Sequence, residues 1–171
     1  MKRTIYYPIL FLLIILLICM GYFSWFSPVT TVLLVRHAER LNSSDTTSLS
    51  EAGLERANTL AHVVGSSHID HIFITQYVRT KQTAAPIAAA LGIEPIIVQS
   101  GDIEELVDSI HAYQGGVILV VGHSDTLPMI MTELGVSSVP PIGGNTFDNL
   151  FVVSLRRLGV RMTQLKFGNP T

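Results

Sequence analysis

The sequence predicts an α/β fold, a three-layer α/β/α sandwich around a mostly parallel central sheet. Short apolar runs rich in β-branched residues alternate four times with segments of helical periodicity. Two of these runs, 31–35 and 117–122, are apolar throughout, which is typical of strands buried on both faces of a parallel sheet. With 171 residues, the chain is long enough for one domain of ordinary size.

The individual elements follow from periodicity and from their boundary residues. A helix is predicted to begin after Ser50, a good N-cap residue, and another is predicted to end at Gly92. The predicted strands cover 31–35, 69–75, 95–98 and 117–122, with a closing hairpin of 150–155 and 160–167. The predicted helices cover 51–64, 80–91, 102–113 and 126–134.

An apolar segment precedes the first strand. Residues 5–26 carry no charge, follow Lys2 and Arg3, and are long enough, at about 20 residues, to span a membrane. The segment ends in bulky aromatic residues, which suit a membrane interface better than a signal-peptide cleavage site. We therefore expect residues 1–28 to be a signal anchor with one transmembrane helix, and residues 29–171 to be the folded domain.

The positive charges before the apolar segment predict that the domain lies outside the cytoplasm, on the periplasmic face in a bacterium. A cleaved signal peptide and a secreted domain are the alternative. Beyond the segment there is no cysteine, and 9 basic residues (11 minus Lys2 and Arg3) face 13 acidic ones. A net charge of −4 argues against a nucleic-acid partner.

Two arginines and two histidines are placed where strands end. Arg36 and His37 follow the first strand, Arg79 follows the second, and His123 follows the strand at 117–122. Because ligands of such sheets lie beyond the carboxyl ends of the strands, one site can collect all four. A neutral imidazole can attack phosphorus, and arginines bind its charged oxygens, so the set suits phosphoryl transfer without a metal or cofactor.

Four motifs then make the sequence similar to a known family. They are LLVRHAE at 33–39, LSEAGLERA at 49–57, ITQYVRTKQTA at 74–84 and VVGHS at 120–124. In this order they resemble the motifs of the histidine phosphatase superfamily, the phosphoglycerate mutase-like group.

The resemblance implies a phosphatase that hydrolyses a phosphate monoester through a phosphohistidine on His37. It implies that Arg36, Arg79 and His123 hold the phosphate. The expected substrate is a small phosphorylated molecule, with a sugar phosphate of the cell envelope as one candidate. The loops 42–47 and 137–148 are expected to line its pocket.

The group that protonates the leaving oxygen is left open. The family's acidic motif has no full counterpart here, so Glu39 and Glu105 are candidates, together with Asp102 and Asp125. Arg56, with its acidic neighbours on the same helix, is expected on a solvated face.

Three other functions stay open. A membrane-tethered phosphate-binding module of the same fold would lack turnover, and a phosphohistidine phosphatase would act on proteins. A metal site could use His37, Glu39, His123 and Asp125.

Overall fold

The computed structural model describes residues 6–25 and 28–171. Within them lie five helices: α1 (Tyr6–Trp25), α2 (Glu51–Val64), α3 (Val78–Leu91), α4 (Ile103–Ala112) and α5 (Thr126–Glu133). The strands are β1 (Thr30–Arg36), β2 (His71–Ile74), β3 (Ile96–Ile97), β4 (Val117–Gly122), β5 (Asn149–Arg156) and β6 (Gly159–Lys166). Every helix and strand predicted after residue 28 is therefore confirmed, with small differences at the ends.

The six strands form one sheet in the order β3-β2-β4-β1-β5-β6. The four strands from β3 to β1 are parallel, whereas β5 pairs antiparallel with β1, and β6 antiparallel with β5. The sheet is therefore mixed: the predicted parallel pairing holds for the four strands from β3 to β1, and not for the closing hairpin of β5 and β6. The physical reason is that a hairpin reverses the chain at once, so β5 and β6 cannot both run parallel to β1.

Helices cover both faces of the sheet, which confirms the three-layer arrangement. Alternate residues of β1 point to opposite faces: Val32 and Leu34 belong to one buried apolar cluster, and Leu33 and Val35 to the other. The first cluster includes side chains of α4 and α5, and the second includes side chains of α2 and α3. The near-continuous apolar runs of β1 and β4 follow from this burial on both sides.

Local chemistry explains the ends of the helices. The Ser50 hydroxyl accepts a hydrogen bond from the Gly53 amide at 3.2 Å and so caps α2, as predicted. At Gly53 itself, a Cβ would lie 2.1 Å from the Glu39 carbonyl oxygen, so only glycine lets α2 approach the chain after β1 this closely. Gly92 ends α3 in the left-handed region, with φ of 67°.

The N-terminal helix α1 carries exposed apolar side chains along the part whose side chains are described. Within the described residues, however, no helix meets the combined length and apolarity needed to cross a membrane. The predicted transmembrane anchor over residues 5–26 is therefore not supported. Lys2 and Arg3, on which the predicted orientation rests, lie outside the described residues.

Candidate active site

Two adjacent parallel strands bring the two histidines together. Arg36, the last residue of β1, pairs in register with Gly122, the last residue of β4. The His37 amide then donates to the Gly122 carbonyl at 2.9 Å, which continues the ladder by one residue. As a result the rings of His37 and His123 lie 5.3 Å apart between centroids.

The ring of His37 is held in one tautomer. Its Nδ1 lies 2.7 Å from the carbonyl oxygen of Ala38, and since a carbonyl only accepts, Nδ1 must carry the proton. The lone pair of the neutral ring is then on Nε2, which has no partner among the described residues. The Ala38 backbone is fixed in turn, because its amide donates to the Thr83 hydroxyl at 3.0 Å. This arrangement presents Nε2 as a nucleophile with a defined direction.

The surroundings of His37 keep it neutral. The side chain is 2 % exposed, and desolvation by burial lowers its pKa to about 3. The charges of Arg36 and Arg79 and the neighbouring His123 also lower this pKa, while the hydrogen bond to Ala38 opposes the shift. An unprotonated imidazole is the form that can attack phosphorus.

Arg36 is held from one side by the loop before β5. Its Nη1 donates to the carbonyl oxygens of Gly143, Gly144 and Thr146 at 2.9, 2.7 and 3.2 Å. Its guanidinium carbon also lies 4.2 Å from the centroid of the Phe147 ring. The Nε atom is buried and has no hydrogen-bond partner in the described structure. The loop therefore fixes the guanidinium through Nη1, while Nε is left as a free donor.

Arg79, in the first turn of α3, shows the same pattern. Its Nη1 donates to the Asp45 carbonyl at 3.1 Å, its guanidinium carbon lies 4.2 Å from the Tyr77 ring centroid, and its Nε is buried without a partner. An unpaired buried donor on a cation is costly unless a ligand satisfies it. The two orphan Nε donors on buried arginines therefore indicate an anion site beside the histidines, and a phosphate fits it by charge and by donor geometry.

His123 lies at the end of β4 with 7 % of its surface exposed. Its Nε2 is 2.9 Å from the Thr75 hydroxyl, and the edge of the Tyr77 ring packs against it with centroids 5.2 Å apart. Desolvation by burial lowers the pKa of His123 to about 4, and the charge of Arg79 adds to the effect. Before a ligand binds, His123 is therefore neutral near pH 7.

The structure brings together Arg36, His37, Arg79 and His123, but Glu39 is engaged elsewhere. Its carboxylate accepts hydrogen bonds from Nε and Nη2 of Arg56, the shortest at 2.7 Å. Arg56 is 6 % exposed and also donates to the carbonyls of Phe167 and Asn169, so the prediction that it is solvated was wrong. Sequence motifs do not reveal this ion pair, because its two residues lie 17 positions apart.

The other acidic candidates differ in their relation to the site. Glu105 and Asp102 are exposed side chains at the start of α4, and no described hydrogen bond joins them to the histidines or arginines. Asp125 is exposed at the start of α5, and its carboxylate accepts from the Thr126 amide at 2.9 Å. Its charge raises the pKa values of Arg36, Arg79 and His123 against the larger effect of burial. Asp125 is thus the candidate whose field reaches all three groups.

Several residues of the site were not among the predicted site residues, although three of them, Thr75, Tyr77 and Thr83, lie within the motif at 74–84. Phe147 and Tyr77 each lie under one site arginine, and the Phe147 ring is 5.9 Å from that of His37. Thr75 and Thr83 position His123 and the backbone after His37. The sequence gives a weak signal for both aromatic residues. Tyr77 lies two residues before Arg79, and Phe147 lies in the loop 137–148 that was expected to line the pocket. Among the described residues, no group of three or more His, Cys, Asp or Glu is arranged to hold a metal.

Comparison with known protein families gives a match over part of the chain. Residues 32–105 match the model of the histidine phosphatase superfamily, branch 1. This stretch includes Arg36, His37 and Arg79, whereas His123 lies beyond it and is brought to the site by the pairing of β1 with β4. A comparison with curated proteins finds no match.

Solved structures share the fold. The protein histidine phosphatase SixA, in complex with tungstate, has a TM-score of 0.66 at 18 % identity, over 80 % of this chain and 96 % of that one. A putative phosphohistidine phosphatase SixA from Agrobacterium tumefaciens has a TM-score of 0.61 at 20 % identity, over 82 % and 98 %. A mycobacterial glucosyl-3-phosphoglycerate phosphatase has a TM-score of 0.62 at 15 % identity, over 81 % and 98 %.

Residues 32–105 are thus similar to the histidine phosphatase superfamily, in agreement with the motifs of the sequence, and the solved structures share the fold over most of the chain. The family match supports a phosphatase, that is, a hydrolase of phosphoric monoesters.

Proposed function

We propose that the protein hydrolyses a phosphate monoester through a phosphohistidine intermediate on His37. The observation that carries this proposal is the Nε2 lone pair of a buried, neutral His37, beside two buried arginines whose Nε donors have no partner. In the first step Nε2 bonds to phosphorus as the bond to the ester oxygen breaks, and the leaving oxygen takes a proton. Water then attacks phosphorus, the P–N bond breaks, and inorganic phosphate leaves with His37 neutral again.

The arginines supply the electrostatic part of the reaction. Negative charge is spread over the equatorial oxygens of the transferred group, and fixed cations stabilise it in a site with little water. Arg36 and Arg79 are held by the loops 143–146 and 42–47 through their Nη1 atoms, so little reorganisation is needed when phosphate arrives. These are the two loops whose sequence predicted a role in lining the substrate pocket.

We propose Asp125 as the proton donor to the leaving oxygen. Its carboxylate is solvent-accessible, two residues after His123, and its charge acts on three groups of the site. Glu39 is a weaker candidate because its carboxylate is bound by Arg56, and Glu105 because no described contact links it to the site.

The decisive experiment is trapping of the intermediate. The full chain should release phosphate from an aryl phosphate without added metal, should be inhibited by vanadate, and should carry acid-labile label on His37 after a brief reaction with labelled substrate. His37→Ala should abolish both turnover and labelling, whereas His62→Ala, at an exposed position on α2, should leave them unchanged. Full activity of His37→Ala would refute the role of His37.

A second outcome of the same experiment supports the binding-module alternative. A chain that binds phosphate or forms a stable phosphohistidine but never releases phosphate from any ester is a module without turnover. The absence of a complete acidic motif is the observation that favours this alternative.

For the substrate, we propose a small phosphorylated molecule, with an envelope sugar phosphate as the first candidate and a phosphohistidine-containing protein as the second. The neighbours support both classes, since one is a protein histidine phosphatase and another a glucosyl-3-phosphoglycerate phosphatase. Parallel measurement of kcat/KM on sugar phosphates, nucleotides and phosphohistidine peptides distinguishes them. The preferred class should exceed the others by at least about tenfold, a difference of about 1.4 kcal/mol in transition-state binding.

We also propose that the domain works outside the cytoplasm. Support comes from the sequence, in which Lys2 and Arg3 precede an uncharged apolar segment. A reporter that is active only after export, fused after Thr171, should be active, and N-terminal sequencing of the mature chain should show whether the segment is removed. A reporter active only in the cytoplasm would refute export.

A further inference from the structure

A chain of two hydroxyl groups lies behind His123. The Nε2 atom of His123 is 2.9 Å from the Thr75 hydroxyl oxygen, which is 3.0 Å from the Thr80 hydroxyl oxygen. The Thr80 hydroxyl in turn lies 3.0 Å from the Thr75 carbonyl and 2.9 Å from the Tyr77 carbonyl. Thr80 is 0 % exposed and Thr75 is 9 % exposed, so protein atoms surround this chain.

The number of available protons fixes the direction of the hydrogen bonds that join Thr80, Thr75 and His123. A carbonyl only accepts, so the single proton of the Thr80 hydroxyl is used on one of its two carbonyl neighbours. Thr80 must then accept from Thr75, whose only hydroxyl proton is thereby used. The Thr75 oxygen is left as an acceptor towards His123, and Nε2 of His123 must supply the hydrogen. The reverse direction would take the Thr80 proton away from both carbonyls.

The other ring nitrogen of His123 faces a different situation. Nδ1 has no hydrogen-bond partner among the described residues, yet it is not among the buried polar atoms that lack one. It is therefore accessible, on a ring whose centroid is 5.3 Å from that of His37. In the neutral ring with hydrogen on Nε2, this accessible atom carries a lone pair, which repels a phosphate oxygen unless a proton lies between them.

We propose that Thr75 and Thr80 are positioning residues that fix hydrogen on Nε2 of His123, so that Nδ1 takes up a proton when a doubly charged oxyanion binds beside His37. The second part of this inference rests on the proposed phosphate site. Solvent supplies the proton, Nδ1 becomes a donor to an oxyanion oxygen, and the proton returns to solvent when the product leaves. The threonines thus decide which nitrogen of His123 meets the phosphate.

The charges around His123 set the balance of this uptake. Arg79, Arg36 and Arg40 disfavour a proton on the ring, whereas Asp125 favours it. His37 and the Tyr77 ring are the other ionisable groups in contact with the ring. A bound dianion adds two negative charges to this set and draws the proton onto Nδ1.

Nitrogen-15 NMR of histidine side chains in the full chain tests the first part directly. Free protein near pH 8 should show hydrogen on Nε2 and none on Nδ1 of His123. Thr80→Val removes the acceptor of the Thr75 hydroxyl, frees that hydroxyl to donate to Nε2, and should shift the ring towards the tautomer with hydrogen on Nδ1. Thr75→Val should give a mixture of tautomers, and the conservative Thr75→Ser should restore the wild-type spectrum.

Tungstate tests the second part, because near pH 8 it is a dianion without a proton of its own. On saturation, the Nδ1 signal of His123 should change to that of a protonated nitrogen, and calorimetry in two buffers of different ionisation enthalpy should report uptake of about one proton. Thr75→Val should reduce this uptake, and Thr75→Ser should keep it.

The outcomes of these measurements decide whether Thr75 and Thr80 fix the tautomer of His123. A wild-type spectrum with hydrogen on Nδ1 in the free protein overturns the inference without any variant, as does a tautomer that both valine substitutions leave unchanged. If the tautomer responds as expected but the wild type releases no phosphate from any ester, the proposed function fails and the role of the threonines stands. If the wild type releases phosphate from an ester but the tautomer of His123 does not respond to the substitutions, the proposed function stands and the role of the threonines fails.

Discussion

At the scale of the residue, the site depends on control of proton positions. His37 keeps hydrogen on Nδ1 through the Ala38 carbonyl, and burial holds its Nε2 unprotonated. Burial also lowers the pKa of Arg36 to about 10, so this side chain remains charged near pH 7. The site therefore combines a neutral imidazole with charged guanidinium groups over the whole neutral range.

Replacement of Asp125 tests its proposed part in protonating the leaving group. Asp125→Asn should lower kcat on alkyl phosphates by about 10²-fold or more, because a poor leaving group needs a positioned acid. Aryl phosphates should be much less affected, since their leaving groups depart without one. Asparagine caps a helix as well as aspartate, so the melting temperature should stay near that of the wild type. An equal loss on both substrate types would contradict the assignment.

Arg36→Lys tests whether the planar guanidinium matters beyond its charge. Lysine keeps the positive charge but lacks the planar guanidinium of Arg36. In that group Nη1 donates to three loop carbonyls while Nε is left without a partner. We expect kcat/KM on an aryl phosphate to fall by about 10²-fold, the equivalent of one or two charged hydrogen bonds. Arg157→Lys, at an exposed turn, is the matched control, and an equally small effect of both substitutions would refute the role of Arg36.

At the scale of the element, the site is held by contacts between segments that are distant in sequence. The buried Arg56 of α2 binds the Glu39 carboxylate just after β1 and the carbonyls of residues 167 and 169 after β6. Gly53 on the same helix allows the close approach that this contact needs. The segment that follows His37 is therefore tied to α2 and to the end of the last strand.

Breaking the pair of Glu39 and Arg56 should destabilise the fold more than it should change the chemistry. Arg56→Met leaves a carboxylate without its partner and should cost about 3 kcal/mol in the free energy of unfolding, measured by urea titration. The double variant Glu39→Gln with Arg56→Met should recover part of this loss. Glu55→Gln, at the exposed neighbour on α2, is the control and should have almost no effect. A cost no greater than that of the control would show that the pair is not needed for stability.

At the scale of the whole molecule, burial of two neutral histidines links folding to pH. The pKa values of His37 and His123 are lowered from 6.5 to about 3 and about 4. Below pH 6.5 the unfolded chain binds protons at both positions while the folded chain does not. The free energy of unfolding must therefore fall with decreasing pH, until the folded histidines titrate near pH 4 and 3.

Urea titrations between pH 7.5 and 5 should measure this loss of stability. Well below pH 6.5, each histidine contributes about 1.4 kcal/mol per pH unit at most. His37→Gln should reduce the slope by roughly one such contribution. A slope that His37→Gln does not alter would show that His37 is not held neutral by folding.

Much of the fold was open to prediction from sequence because its signals are local. Short apolar runs and helical spacing lie within each element, and caps such as Ser50 and Gly92 lie at its ends. The direction of β5 is not a local property, since it depends on which strand the closing hairpin joins. The antiparallel pairing of β5 with β1 was therefore not predicted. The proposed anchor rested on composition alone, and the structure does not support it.

The sequence by itself determined the alternation of strands and helices and the ends of strands at which Arg36, His37, Arg79 and His123 gather. It did so because strand ends in a parallel sheet share one edge, whatever the intervening chain. Only the tertiary structure decided which groups serve that site. Contacts between residues 17 and 48 positions apart bind Glu39 to Arg56 and Thr75 to His123. Proton positions and ion pairs depend on distances of about 3 Å, which only packing fixes.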